Sequence, residues 1–577
     1  MVKNNNTNIP FPQWTEQIYN ENTGEDFLGL RSVSTNITTY LLPGIITITP
    51  RARYYSFYCW LLREYDDNHP KGTLFTEFIK RREQIFALAN LAFDKVHSYG
   101  DSTTGMMGST KLEGHLEEHQ NDNMIPLTVD DYLAASYGGF GQYRGVMRNL
   151  DLMKDSDDPK YDQVLLPNSK RLANGYAMAI KNTEYYKNRH YYDTASSISI
   201  DCLKEYGRHC YLSGLAAAED AKPILNVLFG FDAKEILPNP DFDISTHGNM
   251  CGSMGLILEM INQSQQMLSD YRFRDFLLYG FCSDFPKFQP SPQLYGFLAH
   301  WQIFQIRELY VYALYELWIY FLDYLRGNGP FDYNRFSEHL ENISFKESNE
   351  QILSFSSGNR SFSEISTISM LDMLLSQSGV SEGKFQDRCI KYARKYHVIV
   401  NESLIFDLLN KPPNELTRKD RFILSTMMLL GIYIRLKGIK QTDPYDAWYW
   451  AREGGVRRRS MEIFVRQMDE QIVNEASLLD TLDWIFRDYI IAQHTITSLE
   501  KWHQRKANTF HFNFENGIFE WVQMDSNSLS ASRFSYAYNM IRDLGLVRVE
   551  ENEVPSLSER GKKTLKRVLD KLEESYE

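Results

Sequence analysis

The run from Leu298 to Leu325 sets the first constraint on this chain. It is the most apolar long stretch in the sequence and is dense in Tyr, Trp and Phe, yet it carries His300, Arg307, Glu308, Glu316 and Asp323. Charges at that density are incompatible with the core of a bilayer. The stretch is therefore read as a helix buried inside a protein. Most of the remaining sequence also has helical periodicity, so the expected fold class is mainly α. A length of 577 residues suffices for about three or four domains. A hydrophobic fraction of 43% and an aromatic fraction of 14% can build real cores and exclude a disordered chain. The net charge of −13 argues against a general polyanion binder, which is usually basic overall, but leaves room for a local basic surface. The six cysteines are scattered with no CxxC pair, so neither a disulfide framework nor a cysteine zinc site is expected. With no signal-peptide layout in Met1-Val-Lys-Asn-Asn-Asn, the expectation is a soluble protein of the reducing cytoplasm.

Local signals divide the chain. Thr49-Pro50 is a helix start, with Thr as N-cap and Pro at the first helical position, and the helix runs on to Tyr65. Leu41 to Ile48 reads as a turn and a short extended piece before it. Residues 75 to 95 form another helix, and 97 to 126, rich in Gly, His and charge, read as an exposed loop. Phe510 to Val522 alternates by twos around Asn516-Gly517, a strong hairpin signal. The expected regions are 1–125 (helical), 126–200, 201–365 (aromatic-rich helical), 366–476 (helical) and 477–577.

The last region holds a helix, Arg533 to Leu544, with Phe534, Ala537, Tyr538, Ile541 and Leu544 on one face and Gly545 as its stop. A short hairpin over 547–554 and a basic helix from Pro555 follow. Helix, hairpin and basic helix in this order resemble a winged helix, a class that usually binds nucleic acid or proteins. Gln142 to Leu152 echoes the same helix, with Arg148-Asn-Leu-Asp-Leu matching Arg542-Asp-Leu-Gly-Leu. Lys154 to Asp162 takes the hairpin position, and Leu166 to Gly175 parallels Leu557 to Leu565. A second winged-helix-like module is thus a candidate near 130–180, within 126–200.

Two candidate nucleic-acid surfaces emerge. On the C-terminal helix, Ser532, Tyr536, Asn539 and Asp543 lie opposite the apolar stripe, flanked by Arg533, Ser535 and Arg542. Ser, Asn and Arg can reach base edges or phosphates. Against this, residues 478 to 577 hold 13 Lys or Arg and 16 Asp or Glu, a poor balance for non-specific DNA binding. The second is Arg452 with Arg457, Arg458 and Arg459, following Trp448-Tyr-Trp450. Aromatics beside arginines suit base stacking and phosphate pairing; the alternative is a solvated helix start whose arginines pair with acidic neighbours. Arg51, Arg53 and Arg307-Glu308, set in apolar helices, are read as paired structural charges.

Catalytic motifs are weaker. His115-Leu-Glu-Glu-His119 has the H-x-x-E-H spacing of inverted zinc peptidases, with Glu118 as base. It lies in a polar, Gly-flanked region with no apolar helix to support it and no assignable third ligand, so no metal is expected there. Gly100 to Lys111 fails as a phosphate loop because Met106 follows Gly105 and Lys111 is displaced. Asp372 with Glu382-Gly-Lys384 has the residue types of a metal nuclease, but Ile368 to Leu375 looks helical, whereas such carboxylates belong on adjacent strands. No G-x-S-x-G elbow occurs, and no Arg is followed five positions later by His.

Gly29-Leu-Arg-Ser, Leu42-Pro-Gly-Ile-Ile-Thr-Ile-Thr and Arg51 to Trp60 resemble the opening of large helical proteins of bacterial phage-defence gene clusters, some beside ATPases of the SMC or ABC type. The resemblance covers mainly residues 26 to 65 and transfers no catalytic residue. It implies a non-enzymatic component of an antiviral defence complex, needing no cofactor, that recognises nucleic acid or links it to an ATPase or effector partner. Two alternatives stay open. One is a kleisin-like assembly subunit docking an SMC- or ABC-type ATPase through winged helices, favoured by the acidic residues Glu550, Glu551 and Glu553. The other is a metal-dependent nuclease effector whose carboxylates converge only in three dimensions.

Overall fold

The computed structural model describes residues 26–68, 75–97, 105–119, 121–127, 138–155, 163–188, 195–232, 247–264, 266–345, 361–412, 415–454, 459–505, 508–548 and 554–576. The protein is mainly helical, with short two- and three-stranded ladders.

The apolar run forms the central helix. We label the principal helices in chain order: α1 (Ser32–Leu41), α2 (Arg53–Asn68), α3 (Phe75–His97), α4 (Ser109–Glu118), α5 (Phe140–Asn149), α6 (Ser169–Ile180), α7 (Ile200–Cys210), α8 (Ala221–Leu228), α9 (His247–Gln263), α10 (Asp270–Tyr279) and α11 (Tyr295–Asn328). Then follow α12 (Thr367–Gln377), α13 (Phe385–Ala393), α14 (Arg418–Ile439), α15 (Met461–Val473), α16 (Ala492–Arg505), α17 (Phe534–Asp543) and α18 (Glu559–Tyr576). Helix α11 is buried around most of its circumference, packed by α1, α10 and α14. Its charges bind the segments that wrap it. Arg307 donates to the carbonyls of Leu30 and Glu453, Glu308 accepts from the Ser530 amide, and Glu316 accepts from Asn527. Asp323 pairs with Arg326 and Arg418. Helix α14 is long and apolar enough to cross a membrane, but 89% of its apolar window is buried inside the protein. It is a core helix packed on α11 and α13.

Two helix pairs meet closely at a glycine. A Cβ on Gly207 of α7 would stand 2.2 Å from the Ala89 carbonyl oxygen of α3. One on Gly438 of α14 would stand 2.3 Å from the Cys389 carbonyl oxygen of α13. The expected hairpin is present. Strands β6 (Phe512–Glu515) and β7 (Ile518–Trp521) pair antiparallel, and Asn516 and Gly517 take φ of 52° and 82°, as a tight hairpin turn requires. Strand β5 (Phe331–Asp332) adds to β7 from a region expected to be separate. Buried apolar side chains form one continuous core from Leu28 to Leu572, across every expected boundary.

Two expectations are corrected. Thr49 does not cap α2: its hydroxyl turns back to the Ile46 backbone, and α2 begins at Arg53. The expected exposed loop over 97–126 contains helix α4, held by buried Leu112 and Leu116, and strand β1 (Met124–Pro126), which pairs with β4 (Ser197–Ser199).

The echo in the sequence is an echo in structure. In the first unit α5 is followed by β2 (Met153–Asp155), β3 (Gln163–Leu165) and α6; in the second, α17 is followed by β8 (Val547–Arg548), β9 (Ser556–Leu557) and α18. Leu150, Asp151 and Leu152 donate to the carbonyls of Val146, Arg148 and Met147. Leu544, Gly545 and Leu546 donate in the same pattern to Met540, Arg542 and Ile541. Asp151 and Gly545 carry the left-handed cap, at φ of 51° and 67°. After each ladder the chain bonds back alike, Leu166 to Leu152 and Ser558 to Leu546. Leu165 rather than Leu166 is the counterpart of Leu557, by strand register.

Candidate functional site

Helix α17 buries its apolar stripe as expected, with Phe534, Ala537, Tyr538, Ile541 and Leu544 inside. Much of its opposite face is buried as well. Ser532 donates to the Asp270 carboxylate on α10. Arg533 is 6% exposed, and its guanidinium donates to the carbonyls of Thr38, Leu42 and Ile45 and to the Thr39 hydroxyl. These bonds tie the entry turn of α17 to the end of α1 and to the turn that follows it. Burial pulls Arg533 down to about 10, still a cation at neutral pH. Asp543 accepts from Arg51 at 3.0 and 2.8 Å and from the Ala52 amide at 3.2 Å, so it caps α2 from across the molecule. Burial pushes its carboxyl up, and the Arg51 guanidinium opposes that shift. Tyr536 and Asn539 line a cavity of 380 Å³ shared with Gln142 of α5 and with Thr47, Ile48 and Pro50. Arg542 is exposed at the end of the helix. Five of the expected contact residues thus share one helix and its entry turn, but Ser532 and Arg533 are turned inward.

The second expected surface also loses its aromatic platform. Trp448 and Trp450 are buried, their indole N–H groups donating to Glu462 and His300. Arg459 lies 3.6 Å from Asp488, bonds Gln467 and stacks over Tyr489; Arg452 stands 3.9 Å from Glu462. Arg457 and Arg458 lie outside the described residues. Arg51, Arg53 and Arg307 are partnered inside the protein, with Arg53 held by Asp220 and by the Tyr211 and His209 carbonyls. Asp372 lies on α12, where Arg388 binds its carboxylate at 2.6 Å.

Sequence reasoning missed a cationic cleft on the last helix. From Arg560 to Arg567, α18 carries Arg560, Lys562, Lys563, Lys566 and Arg567 with no acidic residue between them. Its apolar residues Leu565, Val568 and Leu572 are buried, anchoring it on α9. That turns Arg560, Lys563 and Arg567 toward α8. With Lys222 they line a cleft of 420 Å³ whose apolar wall is Leu225 and Phe231. Arg567 lies 3.8 Å above the Phe231 ring and donates to Asn226, and Lys571 donates to the Phe231 carbonyl. Arg560 donates to the Ala216 carbonyl, and partial burial lowers its pKa. The nearby carboxylate of Asp232 is engaged by Arg171 at 3.1 Å. Four cations around one apolar-walled cleft form an anion-attracting surface. The basic run on α18 was visible in the sequence; its meeting with Lys222, far away in the chain, was not.

Among the described residues, one group of three potential metal-ligating side chains converges: His115, Glu118 and His119. Comparison with protein-family models, curated proteins and solved structures gave no match.

Proposed function

We propose that this protein is a non-enzymatic, nucleic-acid-recognising component of a bacterial antiviral defence complex, acting in the cytoplasm. The observation that carries the recognition reading is the cleft where Lys222, Arg560, Lys563 and Arg567 converge beside Phe231. Phosphates would be held by the cations, beside the apolar wall of Leu225 and Phe231. The surrounding negative charge would confine binding to this surface, in contrast with a chain that is basic throughout. The two helix–ladder–helix units are the winged-helix-like modules of this reading, and the second supplies α18. The defence context rests on the resemblance of residues 26 to 65.

Fluorescence anisotropy with labelled duplex DNA, single-stranded DNA and RNA over a salt series tests the proposal. Binding is expected to weaken steeply with salt. Changing Lys563 and Arg567 together to Ala is expected to reduce the logarithmic salt slope by about 2, one per lost phosphate contact. Changing Arg457, Arg458 and Arg459 to Ala measures the other expected surface in the same assay. No binding at low salt would reject nucleic-acid recognition by this chain.

A second reading has its own support. Ile496, Leu499 and Trp502 recur every three residues along α16, each 46% exposed. Such an apolar stripe suits a helix-to-partner contact, as in an assembly subunit that docks an SMC- or ABC-type ATPase. Under this reading, Leu499→Asp abolishes co-purification with the ATPase while leaving anisotropy unchanged.

A further inference from the structure

We infer that His115, Glu118 and His119 form a zinc site on the outer face of α4. One ligand atom from each lies within 4.8 Å of the other two. The two histidines are four positions apart on a helix, which stacks them on one face; their ring centroids are 4.9 Å apart. Buried Leu112 and Leu116, each three positions before one of the histidines, anchor the adjoining face of the helix.

The hydrogen bonds around the two imidazoles carry the inference further than their spacing does. His115 Nε2 stands 2.9 Å from the Pro126 carbonyl oxygen of β1. His119 Nδ1 stands 2.7 Å from the Asp122 carboxylate. A carbonyl and a carboxylate only accept, so each of these ring nitrogens carries the proton. The lone pairs then fall on His115 Nδ1 and His119 Nε2. That is the arrangement metal-bound histidines show, with the second nitrogen donating to an outer oxygen that fixes the tautomer and raises ligand basicity.

Two imidazoles and a carboxylate select zinc over the hard cations, which take oxygen ligands. A tetrahedral zinc holds its ligand atoms about 3.3 Å apart, a closure that rotation of the exposed Glu118 and the part-exposed rings supplies. Three protein ligands leave the fourth position to water.

The test is isothermal titration of the chelator-treated full chain with ZnCl₂, repeated with CoCl₂ for its visible absorption. One ion per chain is expected. His119→Ala is expected to abolish binding. Asp122→Asn, which touches no ligand atom, is expected to weaken it about 10- to 100-fold. Circular dichroism of the ion-free variants checks that each is folded. Absence of binding, zinc binding retained in both His115→Ala and His119→Ala, or Ca²⁺ bound as tightly as Zn²⁺ would each overturn the assignment. None of these results depends on nucleic-acid recognition.

Discussion

At the scale of single residues, burial converts ordinary side chains into conditional ones. Glu83 is enclosed between α3 and α5, where its carboxyl accepts the amides of Gly139 and Phe140 at 3.0 and 2.6 Å. Burial pushes its pKa from 4.5 up to about 7 despite those bonds. A folded pKa above the unfolded one gives stability that is complete below pH 4.5 and lost as pH rises through 7. Glu83→Gln removes that titration. Relative to this variant, the wild-type protein is expected to lose about 3 kcal/mol of unfolding free energy between pH 4.5 and 7. Urea unfolding at a series of pH values measures the difference, and a constant gap between the two proteins would show that Glu83 stays ionised. Arg533 shows the same lesson in another form. A sequence reader places arginine at the surface, yet this one is buried, its guanidinium spread over the carbonyls of Thr38, Leu42 and Ile45.

At the scale of elements, what was legible depended on whether the stabilising contacts were local. The β6–β7 hairpin and the stop at Gly545 were readable because a turn needing positive φ names its own residues. The buried face of α17 was readable from its period. Helix α4 was hidden because only Leu112 and Leu116 mark its inner face among Gly, His and charged residues. The start of α2 was misplaced because the group that caps it, Asp543, comes from the far end of the sequence. Glycine positions give a direct test of element packing. Gly207→Ala is expected to destabilise by about 1–3 kcal/mol or more, since its methyl would press on the Ala89 carbonyl and force α7 from α3. Gly145→Ala, in α5 with nothing within 4 Å of its new methyl, is expected to stabilise by up to about 1 kcal/mol. Thermal denaturation of the two variants side by side distinguishes close packing from helix propensity; equal shifts would refute the packing account.

At the scale of the whole molecule, the two helix–ladder–helix units meet at one short segment. The Tyr143 hydroxyl of the first bonds both the amide and the carbonyl of Arg51, and Asp543 of the second holds the Arg51 guanidinium and the Ala52 amide. Breaking a buried pair leaves an uncompensated charge, so Asp543→Ala is expected to cost about 3–5 kcal/mol. Because one core runs through both units, that loss is expected to appear in tryptophan fluorescence and in helical dichroism at the same denaturant concentration. Separate transitions would mean that the units unfold independently.

The same pair imposes a schedule on biosynthesis. Arg51 and Asp543 are 492 residues apart. At about 5–20 residues per second, Arg51 emerges from the ribosome roughly 25–100 s before its carboxylate. Throughout that interval the nascent chain carries an uncapped helix start and a guanidinium destined for the interior. A chaperone that shields the first hundred residues during translation would therefore raise the yield of this protein more than one acting after release.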